Sequence, residues 1–403
     1  MTTSGAIVIV GAARTALGSF QGQFKSVTAP ELGATAIRGA LDRARLNGET
    51  RCELFMGCVL PAGVGQAPAR QAAIHAGLPA GVSALTVNKV CGSGLAAVML
   101  AAQAIKAGDA ELIVAGGQES MSNAPYYNYG MRGGVKLGNQ TLTDGVIKDG
   151  LWCSFCDVHM GGHAEYTAKK AHVTRAAQDE FAVESHRRAI AAIEAGKFND
   201  EIIAVDVPGK KGATTISVDE GPRKDASLDS LARLKPAFAS DARGMSAAEL
   251  TVTAGNASTL NDGASALVVA SAEYAKAHGL PVLARITGYG TGAVEPQELF
   301  FAPVIAVRAL MKKAGTKISD YDLIEANEAF ASQALADGQE LGWDWARVNV
   351  NGGAISLGHP IGASGARVLT TLLYALRDRN KRTGLATLCL GGGDAVALSV
   401  ERV

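Results

Sequence analysis

Three residues of this chain are best suited to covalent chemistry: Cys91, His359 and Cys389. Cys91 lies in VCGSG, a glycine-rich turn between an apolar run and a helical stretch. Free backbone N–H groups and the dipole at a helix N-terminus favour an anion, so the turn is expected to lower the thiol pKa and make a nucleophile. The plain alternative is an inert buried thiol. His359 stands in SLGHPIGASG, where Pro360 bars the preceding residue from a helix interior. A histidine on such a turn contacts a ligand or serves the turn itself. Cys389 precedes three glycines in CLGGGD. Their backbone N–H groups, that of Gly391 included, suit an oxyanion hole. Asn327, in EANEAF, is an amide of the kind that orients a water or a carbonyl oxygen.

Strand-like and helical runs alternate around these residues. Residues 6–10 and 85–90 read as strands, 95–107 as a helix apolar nearly all round, and 111–115 as a strand ended by Gly116-Gly117. The C-terminal part repeats the plan. Residues 348–350 read as a strand, a helix runs to about residue 379, and 385–390 is a strand ended by Gly391-Gly392-Gly393. Ser93-Gly94 matches Ser364-Gly365 before the respective helices. The strand–helix–strand order implies parallel pairing. An internal duplication is the simplest account, with each α/β half giving one glycine-rich turn to a shared site.

The composition fits that architecture. A chain of 403 residues with 48 glycines, 12 prolines and 5% aromatics has a small-residue core and many tight turns. Lys+Arg and Asp+Glu balance at 38 each, so no global field draws it to nucleic acid or an anionic membrane. The apolar runs look too short for a membrane span of roughly 18–20 residues. The start, MTTSGAIVIVGAART, reads as a first strand rather than a signal peptide, and the expected location is cytoplasmic. The span 123–250 differs in character. It carries an aromatic loop, a helical stretch near 175–195 and Lys210, Lys211, Arg223, Lys224, Arg233, Lys235 and Arg243. Most of these are expected on a solvated surface, and a few could dock a phosphorylated ligand.

Six scattered cysteines do not make a disulfide scaffold. Cys153, Cys156, His159 and His163 are metal-ligating by type, but only two residues separate the Cys pair from the first histidine. Finger-like sites leave ~12 residues there, so ordinary thiols and no metal are expected. No GxxxxGK[ST] loop and no G-x-G-x-x-G after a strand is present, which argues against ATP hydrolysis and NAD chemistry.

NKVCGSG, TVTAGNAS, NEAFA, NVNGGAISLGHPIGASGAR and CLGGG occur in this order, and the chain resembles thiolases over essentially its whole length, most of all the biosynthetic acetyl-CoA acetyltransferases. The resemblance implies an α/β fold of two duplicated halves in five αβαβα layers with an inserted loop domain. It divides the chain into 1–122 with a return segment 250–275, a CoA-binding loop domain 123–249, and a second half 276–403. It implies reversible Claisen condensation of two acetyl-CoA to acetoacetyl-CoA and CoA. Cys91 would be acylated, His359 would accept its proton, and Cys389 would move the α-proton of the second acetyl-CoA. Asn327 would hold a water, and the N–H groups of Cys91 and Gly391 would form an oxyanion hole. Ser258 would meet pantetheine, Arg223 and Ser230 the CoA nucleotide, and Ala254 belongs to the same substrate- and CoA-binding set. Leu151, His159, Met160, Phe238 and Phe330 would line the acyl tunnel, with the His159-Met160 pair favouring short chains. No cofactor is implied beyond the CoA thioesters, and a homotetramer, a dimer of dimers joined through the loop 123–145, is expected.

Asp394 after the glycines and Phe300-Phe301 depart from the family pattern, and so do Cys153 and Cys156. They bear on substrate scope more than on reaction type. The alternatives are a degradative 3-ketoacyl-CoA thiolase of broader chain length, a decarboxylating condensing enzyme, and a non-catalytic thiolase-like carrier. The second cysteine in CLGGG speaks against the decarboxylating enzyme, and the presence of both cysteines and His359 against the carrier.

Overall fold

The computed structural model describes residues 5–47, 50, 52–210 and 212–403. Residues 1–4 of the amino-terminal stretch and Lys211 of the basic span lie outside the described residues. Two half-sheets carry the fold. In the first, Ile7–Thr15 pairs antiparallel with Asn261–Ser271, which pairs antiparallel with Leu112–Ser120, and Glu53–Gly57 and Ala84–Val87 follow in parallel. In the second, Ala284–Ala293 pairs antiparallel with Asp394–Arg402, which pairs antiparallel with Thr383–Leu390, and Leu323–Ala326 follows in parallel. Order and sense repeat, as a duplication requires. The halves join where Val8 and Ile9 pair with Arg285 and Ala284.

The strand expected at 348–350 is only a single bridge from Val348 to Ile324. Asn349 takes over the pairing: its side-chain Oδ1 accepts from Ala326 N at 2.9 Å and its Nδ2 donates to Ala326 O at 2.8 Å. Gly116-Gly117 do not end their strand either, because Leu112–Ser120 runs straight through them. A Cβ on Gly116 would strike the Ser265 backbone and one on Gly117 that of Gly362. Those glycines mark close backbone approach.

The strands are apolar on both faces because both are covered. Ile7 and Ile9 join Leu95, Val98, Leu267, Leu369, Leu372, Leu388 and Leu398 in a core around the helices Ser93–Ala107 and Ile361–Asp378, which lie between the two half-sheets. Val8 and Val10 instead face Ile37 and Leu41 of the outer helix Ala29–Arg43. On the far side, Val304 and Val307 of helix Ala302–Ala314 pack on Ile324, Leu385 and Ala397. The result is αβαβα. Residues 90–107 do form one stretch of 18 residues, with hydropathy 1.5, that is long and apolar enough to cross a membrane by length and composition. Its place between the sheets accounts for that character.

The matched Ser-Gly pairs mark where the first turns of the two central helices cross. A Cβ on Gly94 would lie 2.7 Å from Ala366 N, and one on Gly365 would strike Leu95 N. The crossing therefore needs glycine on both sides, and it draws the two glycine-rich turns together. Between the strands Leu112–Ser120 and Asn261–Ser271 the chain forms short hairpins and the helices Met160–Lys170 and Arg175–Glu194. Buried ion pairs from Arg14 to Glu201 at 2.5 Å and Asp219 at 2.7 Å tie this region to the first strand. Lys210, Arg223, Lys224, Arg233 and Lys235 are exposed; Lys224 pairs with Glu194 and Arg243 with Asp157.

Candidate functional site

Cys91 follows a strained residue. Val90 has φ 47°, a left-handed conformation that costs a β-branched side chain roughly 1–3 kcal/mol. Ser93 holds it there: its Oγ accepts from Lys89 N at 2.8 Å and donates to Val90 O at 2.6 Å. The thiol keeps part of its surface open, yet burial pushes its pKa up to about 12, against the pull of the Cys91 and Gly391 backbone N–H groups. The expectation of a lowered pKa is thus corrected. A helix terminus stabilises a thiolate, but here the loss of water outweighs it. The donors acting on the sulfur are nonetheless the pair named for an oxyanion hole. Asp394 does not reach the thiols uncompensated, because it forms an ion pair with Lys89.

His359 is fixed from both ends. Its backbone N donates to Asn261 Oδ1 at 2.9 Å, and Gly358 beside it, at φ 117°, could carry no Cβ without striking Asn261. Its Nδ1 lies 2.6 Å from Ser364 Oγ, which donates its own proton to Pro360 O at 2.9 Å. The hydroxyl therefore accepts from Nδ1–H, and Nε2 carries the lone pair. Burial, helped by the Arg367 charge, lowers the imidazole pKa to about 3. Cys389 is buried, its pKa raised by desolvation and by Cys91 nearby. The resting centre thus holds two neutral thiols and a neutral imidazole.

Glu119, which the sequence reading missed, ties the two halves at this point. Its carboxylate accepts from Val59 N at 3.0 Å, Leu60 N at 3.1 Å and Gly362 N at 2.8 Å. Burial raises its pKa to about 7 despite those donors. An acidic residue inside a wholly buried strand was the available signal. Ser364 was also missed as a functional group, although it mirrors Ser93 across the duplication.

One cavity of about 490 Å³ brings together Cys91, His359, Cys389, Gly391, Ser258, Arg223, Leu151, His159, Met160, Phe238, Ala254 and Phe330. Two expected residues do not line it. Ser230 is exposed; its Oγ accepts from Ser227 N at 3.0 Å in the capping box of a short helix and donates to Ser227 O at 2.9 Å. Asn327 is buried behind the cavity lining, and neither atom of its amide has a partner among the described residues. Phe20, Met121, Thr259 and Leu260 line the cavity without having been singled out. Four rings form an aromatic wall of the cavity. His159 stacks on Phe238 at 4.9 Å, and Phe238 and Phe300 meet Phe330 edge-on at 6.0 and 5.4 Å. Phe300 is thus part of the wall, whereas Phe301 lies 5.2 Å under the Lys170 ammonium, outside the lining.

Contrary to the spacing argument, Cys153, Cys156 and His163 come together, their ligand atoms all within 4.8 Å of one another. A tight hairpin returns the chain between the cysteines and the helix that carries His163. His159 lines the cavity of Cys91 and His359 instead.

Residues 7–273 match the family model described as "Thiolase, N-terminal domain", and residues 280–402 match "Thiolase, C-terminal domain". An acetyl-CoA acetyltransferase of Pseudomonas aeruginosa is 56% identical over 397 residues, 98% of this chain and 99% of that protein. One of Cupriavidus necator is 55% identical over the same shares of the two chains. The crystal structure of the Bacillus anthracis acetyl-CoA acetyltransferase superposes with a TM-score of 0.95 at 40% identity, covering 99% of each chain.

Proposed function

The chain belongs to the thiolase family, and from that premise we propose that it is an acetyl-CoA C-acetyltransferase, joining two acetyl-CoA into acetoacetyl-CoA and CoA and running in reverse. One observation carries the assignment of roles: two thiols and a neutral, tautomer-fixed histidine share a mostly apolar cavity, with backbone N–H donors aimed at the nucleophile. Cys91 Sγ attacks the thioester carbonyl while its proton passes to His359 Nε2, and the departing CoA thiolate takes that proton. Because both groups rest neutral, the proton moves with the attack rather than before it. In the second half Cys389 first cedes its proton to His359, neutral again once CoA has left; the Cys389 thiolate removes the α-proton of another acetyl-CoA, the carbanion attacks the acetyl group on Cys91, and the departing Cys91 thiolate takes the proton held by the imidazolium. The Cys91 and Gly391 N–H groups bear the oxyanion of the tetrahedral adduct. Asn327, buried with an open amide, suits holding a water for the enolate oxygen. This chemistry calls on no cofactor beyond the CoA thioesters.

Arg223 at the cavity mouth would meet the CoA phosphates, and Ser258 and Ala254 the pantetheine; Ser230 has no such support. The aromatic wall supports a short acyl group. We assign 1–122 with 250–275 and 276–403 to the two halves and 123–249 to CoA binding and subunit contacts. In the loop, Tyr129 is 68% and Leu137 98% exposed, which supports its burial in a homotetramer. All six cysteines are unpaired, in keeping with a reducing, cytoplasmic setting. The test is a quenched incubation with acetyl-CoA alone, with the label located by mass spectrometry. Acetyl on Cys91 is expected; label on Cys389 and none on Cys91 would overturn the roles.

A further inference from the structure

Cys153 ends the short strand Trp152–Cys153, which pairs with Val158–His159 in a hairpin whose tip holds Cys156. The tip folds so tightly that Cys156 N donates to Cys153 Sγ at 3.4 Å and Asp157 N to Cys153 O at 2.8 Å. The helix Met160–Lys170 starts directly after the hairpin and carries His163 in its first turn. His163 is 2% exposed. Its Nδ1 faces the Gln297 carbonyl at 3.4 Å, and its Nε2 is buried with no partner among the described residues. A carbonyl accepts only, so Nδ1 bears the proton and Nε2 holds a lone pair. A metal-ligating histidine needs that arrangement.

We propose that Cys153 Sγ, Cys156 Sγ and His163 Nε2 form a Zn²⁺ site behind the acyl-pocket wall, with the fourth position taken by solvent. Tetrahedral zinc with sulfur at ~2.3 Å and nitrogen at ~2.0–2.1 Å holds its ligands about 3.5–3.8 Å apart. The three atoms already lie within 4.8 Å, so modest side-chain rotations close the site. Two thiols and an imidazole select zinc over magnesium or calcium, which take oxygen ligands. On binding, both thiols lose their protons to solvent and the two thiolates balance the cation. A cavity of about 520 Å³ bordered by Cys156, His163, Asp241, Arg243 and Met245 opens beside the site and supplies the solvent ligand. Arg243, a cation bordering this cavity, is engaged by Asp157 O at 2.5 Å and its carboxylate at 3.4 Å. His159 ends the hairpin and Met160 begins the helix, so the metal would pin the segment that carries the pocket wall.

The site is tested on the full-length chain carrying C91A and C389A, which removes the other thiol pair. The protein is reduced, stripped with a chelator and checked for free thiols, then titrated with Co²⁺ and Zn²⁺. About one equivalent per chain is expected, with a thiolate-to-cobalt charge-transfer band and tetrahedral ligand-field absorption, both removed by zinc. Cys156→Ser, at a half-exposed position that tolerates the change, and His163→Gln should each weaken binding roughly tenfold or more. Zinc at a free concentration about tenfold above the parent Kd should raise the Tm of the C91A/C389A protein clearly more than that of its Cys156→Ser derivative. Uptake below about a tenth of an equivalent at micromolar free zinc, or uptake undiminished in either single variant, would overturn the proposal.

Discussion

Ser364→Ala isolates the tautomer argument. The side chain is wholly buried, accepts from His359 Nδ1 at 2.6 Å and donates to Pro360 O at 2.9 Å. Removing the hydroxyl strands a buried N–H and costs about 1–3 kcal/mol of stability. Alanine is the better helix former, so no loss of helix propensity adds to that figure. The same energy had held the imidazole with its lone pair on Nε2. Without it, the tautomer with the proton on Nε2, which cannot accept from Cys91, becomes competitive. At about 1.4 kcal/mol per factor of ten, acetylation of Cys91 should slow by roughly 10- to 100-fold. Rapid-quench mass spectrometry measures that step alone, and urea unfolding gives the stability change. Acetylation within twofold of wild type alongside the stability loss would show that Ser364 serves only the helix, and the tautomer reasoning would fail.

Because burial holds Cys91 near 12, its alkylation by iodoacetamide should rise about tenfold per pH unit from 6 to 9 without a plateau. A plateau at neutral pH would reveal a resting thiolate–imidazolium pair. Cys389→Ser should keep Cys91 acetylation within about tenfold while condensation falls far more, since proton transfer and not acyl attachment is impaired; equal losses would count against separate roles. Phe300→Ala removes one face of the wall against Phe330 and should raise kcat/KM for medium-chain relative to four-carbon 3-ketoacyl-CoA by about ten- to a hundredfold, the scale of a badly fitted apolar insertion. An unchanged ratio would place the acyl tail elsewhere. Light scattering at micromolar concentration should give about four times the 41.3 kDa chain mass, and a monomer would refute the loop's assignment.

Much of the site could be read from the sequence because its backbone demands are severe. The turn around Cys91 and the one after His359 need glycine where two helices cross, and glycine is visible as a letter. What eluded the sequence depended on who faces whom. Asn349 replaces a strand with its side chain, and nothing in the letters 348–350 says so. The Cys91 pKa is set by the depth of packing, which local charge reasoning cannot supply. The spacing from Cys153 to His163 looked too short to fold back, but a four-residue reversal over 154–157, ending at Asp157 with φ 53°, closes it.

The order of strands in the first half-sheet has a consequence for synthesis. Asn261–Ser271 lies between Ile7–Thr15 and Leu112–Ser120, yet it is made last of the three. At about 5–20 residues per second, the ribosome needs roughly 7–28 seconds to travel from residue 120 to residue 261. Through that interval Leu112–Ser120 waits with one edge unpaired, and Ile7–Thr15 has only the short parallel contact at Ile202–Ile203. Both are apolar strands of the kind that pair with any available edge. Until residues 261–271 emerge, those two edges stay open to any other strand that can pair with them. A truncation anywhere before residue 261 takes away the middle of the first sheet rather than a C-terminal appendage.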